Sequence, residues 1–152
     1  MNIYFGIVDH EIKYIGSGTN CRSKHLNSGR SSCKEANKHY FTGKSPIVVS
    51  EFPVNEEDDV VRSLENYLIY QLQPEWNTIG KTFISDYTED SIPWYSDNWV
   101  KFLRNYTERC KASNISFCEL SLFVGLLYES SDEISKANIK NTICSYIDKE
   151  AP

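Results

Sequence analysis

Two short runs open the chain, Asn2-Ile3-Tyr4-Phe5-Gly6-Ile7-Val8 and Ile12-Lys13-Tyr14-Ile15-Gly16, with polar Asp9-His10-Glu11 between them. β-Branched and aromatic residues on both sides of a polar turn predict a β-hairpin. Period-two alternation puts Ile3, Phe5 and Ile7 on one face, and Tyr4 with Gly6 and Val8 on the other. Tyr4 and Tyr14 then fall on paired strands, within side-chain contact range. After the turn Ser17-Gly18-Thr19-Asn20, a helix from Cys21 to Leu26 is expected with Asn20 as its cap. Arg22 and His25, three residues apart, share one of its faces. Residues 27–32 interrupt the pattern, and a second helix over Cys33 to Tyr40 follows, capped by Ser32. Ile47 to Phe52 is a short apolar run between Pro46 and Pro53, hence a strand.

Acid-rich Val54 to Asp59 opens a longer helix, because carboxylates favour the positive end of the helix dipole. It runs to about Gln73 and stops before Pro74. Val60, Val61, Leu64, Leu68 and Leu72 recur at the helical period and face the sheet. Glu65 lies at the edge of that stripe, where a carboxylate needs a partner or a cation. Asp86 to Ser91 is polar and aperiodic, a linker. Beyond it, Trp94, Trp99, Phe102, Leu103 and Tyr106 mark an amphipathic helix. Ser116 with Glu119 forms a capping box ahead of Leu120, Leu122, Phe123, Leu126 and Leu127. Ser131 or Asp132 caps a third helix carrying Ile134, Ile139, Ile143 and Ile147. The tail reads as three packed helices.

Composition narrows the class. The 152 residues are 40% hydrophobic, which argues for a folded core and against disorder. No run approaches a membrane span and the N-terminus lacks a signal-peptide layout, so no membrane partner and a cytoplasmic location are expected, in a bacterial or phage-infected cell. Five cysteines without a Cys-x-x-Cys pair fit reduced thiols. The net charge of −5 speaks against nucleic acid, but its distribution does not. Lys13, Arg22, Lys24, Arg30, Lys34, Lys38 and Lys44 stand against Glu35 alone between Ile12 and Lys44. That is a local +6, which leaves −11 on the rest. Such segregation is a footprint of phosphate contact.

Asn2-Ile3-Tyr4, followed by Tyr14-Ile15-Gly16, resembles the paired motifs of the GIY-YIG nucleases, with Asn in place of the first Gly. The family pattern continues with an Arg on the next helix, a Glu on a later one and an Asn after it. Arg22, Glu65 and Asn77 fill those positions. Leu64 to Ile69, with Gln73 to Asn77, is similar to the corresponding part of the nuclease domain of the UvrC repair subunit. The resemblance covers roughly residues 1–82.

It implies an α+β fold (an α/β sandwich) with a small antiparallel three-stranded sheet flanked by helices. The expected division is a nuclease domain at 1–85, a linker at 86–91 and a helical module at 92–152. It further implies a DNA endonuclease dependent on Mg²⁺ (or Mn²⁺), with Glu65 as the metal ligand. Arg22 would present its fork to non-bridging phosphate oxygens. Tyr4 is the expected base or water-orienting group, Tyr14 positions water or phosphate, and His25 shares phosphate contact or carries a proton. A phenol is a poor base unless cations lower its pKa, and Arg22, Lys13 and the metal are the candidates. Gly16 and Asn77 support the site, Asn77 by holding its loop against the sheet.

Lys13, Lys24, Arg30, Lys34, Lys38 and Lys44 are the candidate DNA contacts, joined from the tail by Lys101 and Arg104. With only a short loop between Tyr14 and Arg22, Lys24 is the stand-in for Arg22 if that loop is reshaped. The Asn2 substitution is expected to matter little, since a strand interior gains little from glycine. Cys21, His25, Cys33 and His39 are zinc-competent types, but their spacing suits a zinc site poorly. One small module on a few phosphates binds DNA weakly and without sequence preference. The tail is therefore expected either to guide the enzyme on DNA or to form a homodimer. Its helices around Tyr128-Glu129-Ser130 resemble a helix-turn-helix without the usual glycine. The competing function is a DNA-binding or regulatory protein that keeps the fold without cleaving.

Overall fold

The structure, a computed structural model, describes residues 1–19, 21–78, 92–113 and 119–150. The Asn20 cap, the 86–91 linker and the Ser116 half of the capping box lie outside the described residues. The fold is α+β, with strands β1 (Asn2–Val8), β2 (Glu11–Gly18) and β3 (Val48–Pro53) in one antiparallel sheet of order β2-β1-β3. Between β2 and β3 lie a 3-10 turn (Arg22–Asn27) and helix α1 (Lys34–Thr42). Helix α2 (Asp58–Leu72) follows β3, and α3 (Ser96–Ser113), α4 (Glu119–Glu129) and α5 (Glu133–Glu150) complete the order.

The hairpin turns through Asp9 and His10 alone, at φ 49° and 65°, so Glu11 belongs to β2. Two successive residues in the left-handed region are what a type I′ hairpin turn requires. The pairing slips between Gly6 and Ile7, which face Tyr14 and Ile12 and leave Lys13 as the extra residue of a β-bulge.

One face of the sheet carries Ile3, Phe5, Ile7, Ile15 and Phe52. It packs against Val61, Leu64, Leu68 and Ile69 of α2, Trp99 and Leu103 of α3, and Leu122 and Leu126 of α4. The sheet and the first two tail helices thus share one continuous core across the expected domain boundary. The opposite face carries Tyr4 and Val8, which pack with Leu26, Ala36, Ile47 and Trp76.

Several expectations change in detail. Residues 22–27 form a 3-10 turn and not an α-helix, and it is preceded by Cys21 at φ 65°. Cys33, not Ser32, stands at the N-cap of α1. Trp94 precedes α3 and is 66% exposed. Asp132 caps α5, its carboxylate accepting from Ser135 N at 2.7 Å. Of the isoleucines expected to be buried along α5, Ile134 is 78% and Ile143 40% exposed. Five residues of helix separate Ile134 from Ile139 by about 140°, so these side chains never shared one face. No described helix is long and apolar enough to cross a membrane.

Candidate active site

Tyr4 faces Gly16 across the hairpin, and Tyr14 faces Gly6. The two phenols are therefore diagonal neighbours, not direct partners, with ring centroids 6.2 Å apart and planes inclined by 20°. Gly16 and Gly18 leave space for side chains of the site. A Cβ on Gly16 would lie 2.5 Å from Tyr4 Cζ, and one on Gly18 2.5 Å from Arg22 Cδ. Contacts that short do not occur between real atoms, so the Tyr4 ring lies where only glycine can face it.

A 3-10 turn has three residues per turn, so side chains at i and i+3 eclipse. Arg22 and His25 therefore point the same way, and both line a hollow with Tyr4, Tyr14 and Ser32. His25 Nε2 is 3.1 Å from the Tyr4 hydroxyl, and its Nδ1 bonds the hydroxyl of Ser31. Lys24 points elsewhere and is exposed. The turn is anchored from below. Buried Ser23 donates to the Glu51 carboxylate, which also accepts from Asn2 Nδ2 at 3.3 Å. Asn2 thus has a definite use, as one of the groups that fix Glu51 beneath the turn.

Glu65 arrives from α2 at the margin of β2, the edge strand, where Ser17 donates to its Oε2. With Tyr4, Tyr14, Ser17, Arg22 and Arg62 it lines a cleft of about 650 Å³. Burial, offset in part by Ser17, Arg22 and Arg62, pushes the Glu65 carboxyl up from its ordinary value. Burial, then the Glu65 charge, also raises the Tyr4 phenol, against the pull of Arg22 and Tyr14. Tyr14 is raised further still, by burial first and then by its phenol neighbour. Burial and then Arg22 push His25 down, which keeps the imidazole neutral near pH 7.

Lys13 does not join the cleft. The bulge turns it outward, where its ammonium lies 2.7 Å from Glu75 and 3.4 Å from Glu11. It therefore neither lowers the Tyr4 pKa nor offers an uncompensated charge. Lys34 lines a neighbouring cleft that shares Tyr14 and Glu65. Arg30, Lys38 and Lys44 are exposed on α1 and its flanking loops. Arg104 donates to the Gln71 carbonyl at 2.8 Å and ties α3 to the end of α2. Lys101 lines a separate hollow of about 350 Å³ between α3 and α4.

Asn77 clamps the free edge of β2. Its Oδ1 accepts from Ile15 N at 2.9 Å and its Nδ2 donates to Ile15 O at 2.8 Å, while Trp76 N donates to Lys13 O. Asn77→Ala leaves two buried backbone groups unpaired. Its expected cost is about 2–4 kcal/mol, read as a lower urea midpoint at unchanged slope.

Glu65 fits a hard divalent cation. Such an ion takes oxygen donors and is often bound through one or two carboxylates plus water and substrate phosphate. The cleft offers the Glu65 carboxylate beside phenol and hydroxyl oxygens. The zinc alternative does not assemble. His25 is held between Tyr4 and Ser31, His39 bonds Ser45 O at 2.8 Å, and Cys33 Sγ lies against Trp76 O. Among the described residues no three His, Cys, Asp or Glu side chains gather to hold a metal.

Ser17, Gly18, Ser31 and Glu51 are the site residues that the sequence pattern did not reveal. Ser17 and Gly18 could have been found, since they continue the strand that carries Tyr14 and Gly16. Glu51 could not, because only the pairing of β3 with β1 sets it opposite Tyr4. Comparison with protein-family models, with curated proteins and with solved structures gives no match to this chain.

Proposed function

We propose that the chain is a metal-dependent DNA endonuclease of the GIY-YIG type. The observation that carries this reading is the convergence of Tyr4, Tyr14, Arg22 and Glu65 on one cleft, with His25 bonded to Tyr4. Phosphodiester hydrolysis needs an oriented water, compensation of charge on the phosphate and help for the leaving oxygen. Glu65 would hold Mg²⁺ (or Mn²⁺), which when bound supplies Lewis acidity toward phosphate oxygens. Arg22 is charged at any working pH and matches two non-bridging oxygens at once. Tyr4 and Tyr14 are protonated in the resting protein, so their hydroxyls orient water or phosphate as donors and acceptors. Burial first and the Glu65 charge second hold the Tyr4 phenol up, so a cation on Glu65 would remove one of the two influences that oppose its use as a base.

The test is a plasmid assay with and without Mg²⁺, on the wild type and Glu65→Ala, paired with DNA binding over a salt series. The wild type is expected to cleave only with the metal and Glu65→Ala not at all, while both bind DNA with similar salt dependence. Binding without cleavage by either protein would instead assign the chain to a regulatory DNA-binding role. End sequencing of the products tests whether the tail guides the cut, and sedimentation tests the homodimer.

A further inference from the structure

We propose that Ser31 is a positioning residue that fixes the tautomer of His25, so that the imidazole donates from Nε2 to the Tyr4 oxygen and takes no proton from it. Ser31 is buried and held at both ends of its backbone by one side chain. Its N donates to Asn37 Oδ1 at 2.7 Å, and its O accepts from Asn37 Nδ2 at 2.6 Å. Its backbone is therefore fixed, and the Cys33 N–H holds its hydroxyl in place. That hydroxyl has one hydrogen to give and two lone pairs to receive with. Cys33 N already donates into it at 3.0 Å, and among the described residues His25 Nδ1 is its other partner.

Two arrangements are possible. With a proton on Nδ1, Ser31 Oγ would accept twice and its own hydrogen would be left buried without an acceptor. With Nδ1 bare, the hydrogens of Cys33 N, Ser31 Oγ and His25 Nε2 all find an acceptor. Cys33 N–H points to Oγ, the Ser31 hydroxyl hydrogen to Nδ1, and Nε2–H to Tyr4 Oη at 3.1 Å. Buried polar groups take the arrangement that leaves none unpaired. In a neutral ring the nitrogen that bonds a fixed outer partner dictates what the other does. The Tyr4 oxygen then receives a hydrogen from His25, and its own hydrogen is left for the hydrogen bond it shares with Tyr14. His25 acts as a neutral donor that steadies negative charge on Tyr4.

The tautomer stands by itself, while its bearing on catalysis rests on the nuclease reading. The experiment uses the full chain with ¹⁵N-labelled histidine, observed by NMR near neutral pH, with His25 assigned by the signals lost in His25→Gln. The proton is expected on Nε2 in the wild type and in Ser31→Thr, with population moving to Nδ1 in Ser31→Ala. A wild-type ring protonated on Nδ1 overturns the proposal, and so does a tautomer unmoved in Ser31→Ala. In cleavage assays Ser31→Ala is expected to lose on the order of tenfold in kcat at nearly constant KM, with Ser31→Thr restoring it, the usual size for an outer orienting partner. Cleavage by Ser31→Ala at the wild-type rate overturns the link to the reaction. If the wild type never cleaves but the tautomer behaves as expected, the nuclease reading fails and the role of Ser31 stands.

Discussion

Glu65→Gln is expected to lose Mg²⁺-dependent cleavage by about 10³-fold or more and to melt at a higher temperature than the wild type when metal is absent. The two effects have one source. Burial is the largest influence on the Glu65 carboxyl and raises its folded-state pKa above the unfolded value. The folded chain then holds that proton more tightly than the unfolded chain does. The associated stability is fully present below the unfolded pKa and is lost as the pH rises through the folded one. Near neutral pH the ionised side chain is a burden on the fold, which the amide removes. Each kcal/mol recovered appears as roughly 2–4 °C in Tm for a chain of this size, and the advantage of the variant shrinks on acidification. Added Mg²⁺ reverses the ranking, since only the wild type gains by mass action. Equal Mg²⁺-induced shifts in Tm for both proteins would show that Glu65 holds no cation.

Gly16→Ala is expected to cost about 1–3 kcal/mol, the usual range for overpacking a close-fitted site. The new methyl carbon would stand 2.5–2.7 Å from Tyr4 Cζ, Oη and Cε2. The ring has little room to retreat. It is 2% exposed, with Tyr14 on one side and His25 bonded to its hydroxyl. Moving Tyr4 Oη by on the order of 1 Å is expected to lower turnover about 10²-fold beyond any loss of folded protein. The comparison is Gly6→Ala, whose new carbon meets Leu26 Cδ1 and Tyr14 Cβ at 3.1 and 3.3 Å. That variant should lose less stability and keep more activity. Urea titration followed by cleavage at matched folded fraction separates the two terms. A Gly16→Ala protein with the wild-type midpoint and rate would mean that the Tyr4 ring lies elsewhere.

What could be read from the sequence was what local pattern carries. The hairpin follows from alternation around a polar turn, and α2 from apolar residues at helical spacing with Glu65 beside them. Arg22 and His25 share a face whether the turn is α or 3-10, because three residues bring the chain back to the same side in either. What escaped was set by tertiary pairing. The bulge opposite Gly6 and Ile7 is one extra residue, invisible to period counting, yet it removes Lys13 from the cleft. The Ser23–Glu51–Asn2 anchor needs β3 beside β1, which no local pattern states. In the tail, Ile134 of α5 looked like part of a stripe in composition but lies apart from Ile139 in angle, and it stays in solvent.

Phe52, on the last strand, meets the Trp99 ring edge-on at 4.8 Å and the Phe123 ring at 5.1 Å. A polypeptide ended near residue 85 would present Phe52 and the rest of that aromatic surface to water. The sheet that carries the cleft therefore shares its supporting core with the first two tail helices and is not a self-contained cassette. A substitution at Phe52, Trp99 or Phe123 is therefore felt on both sides of that boundary.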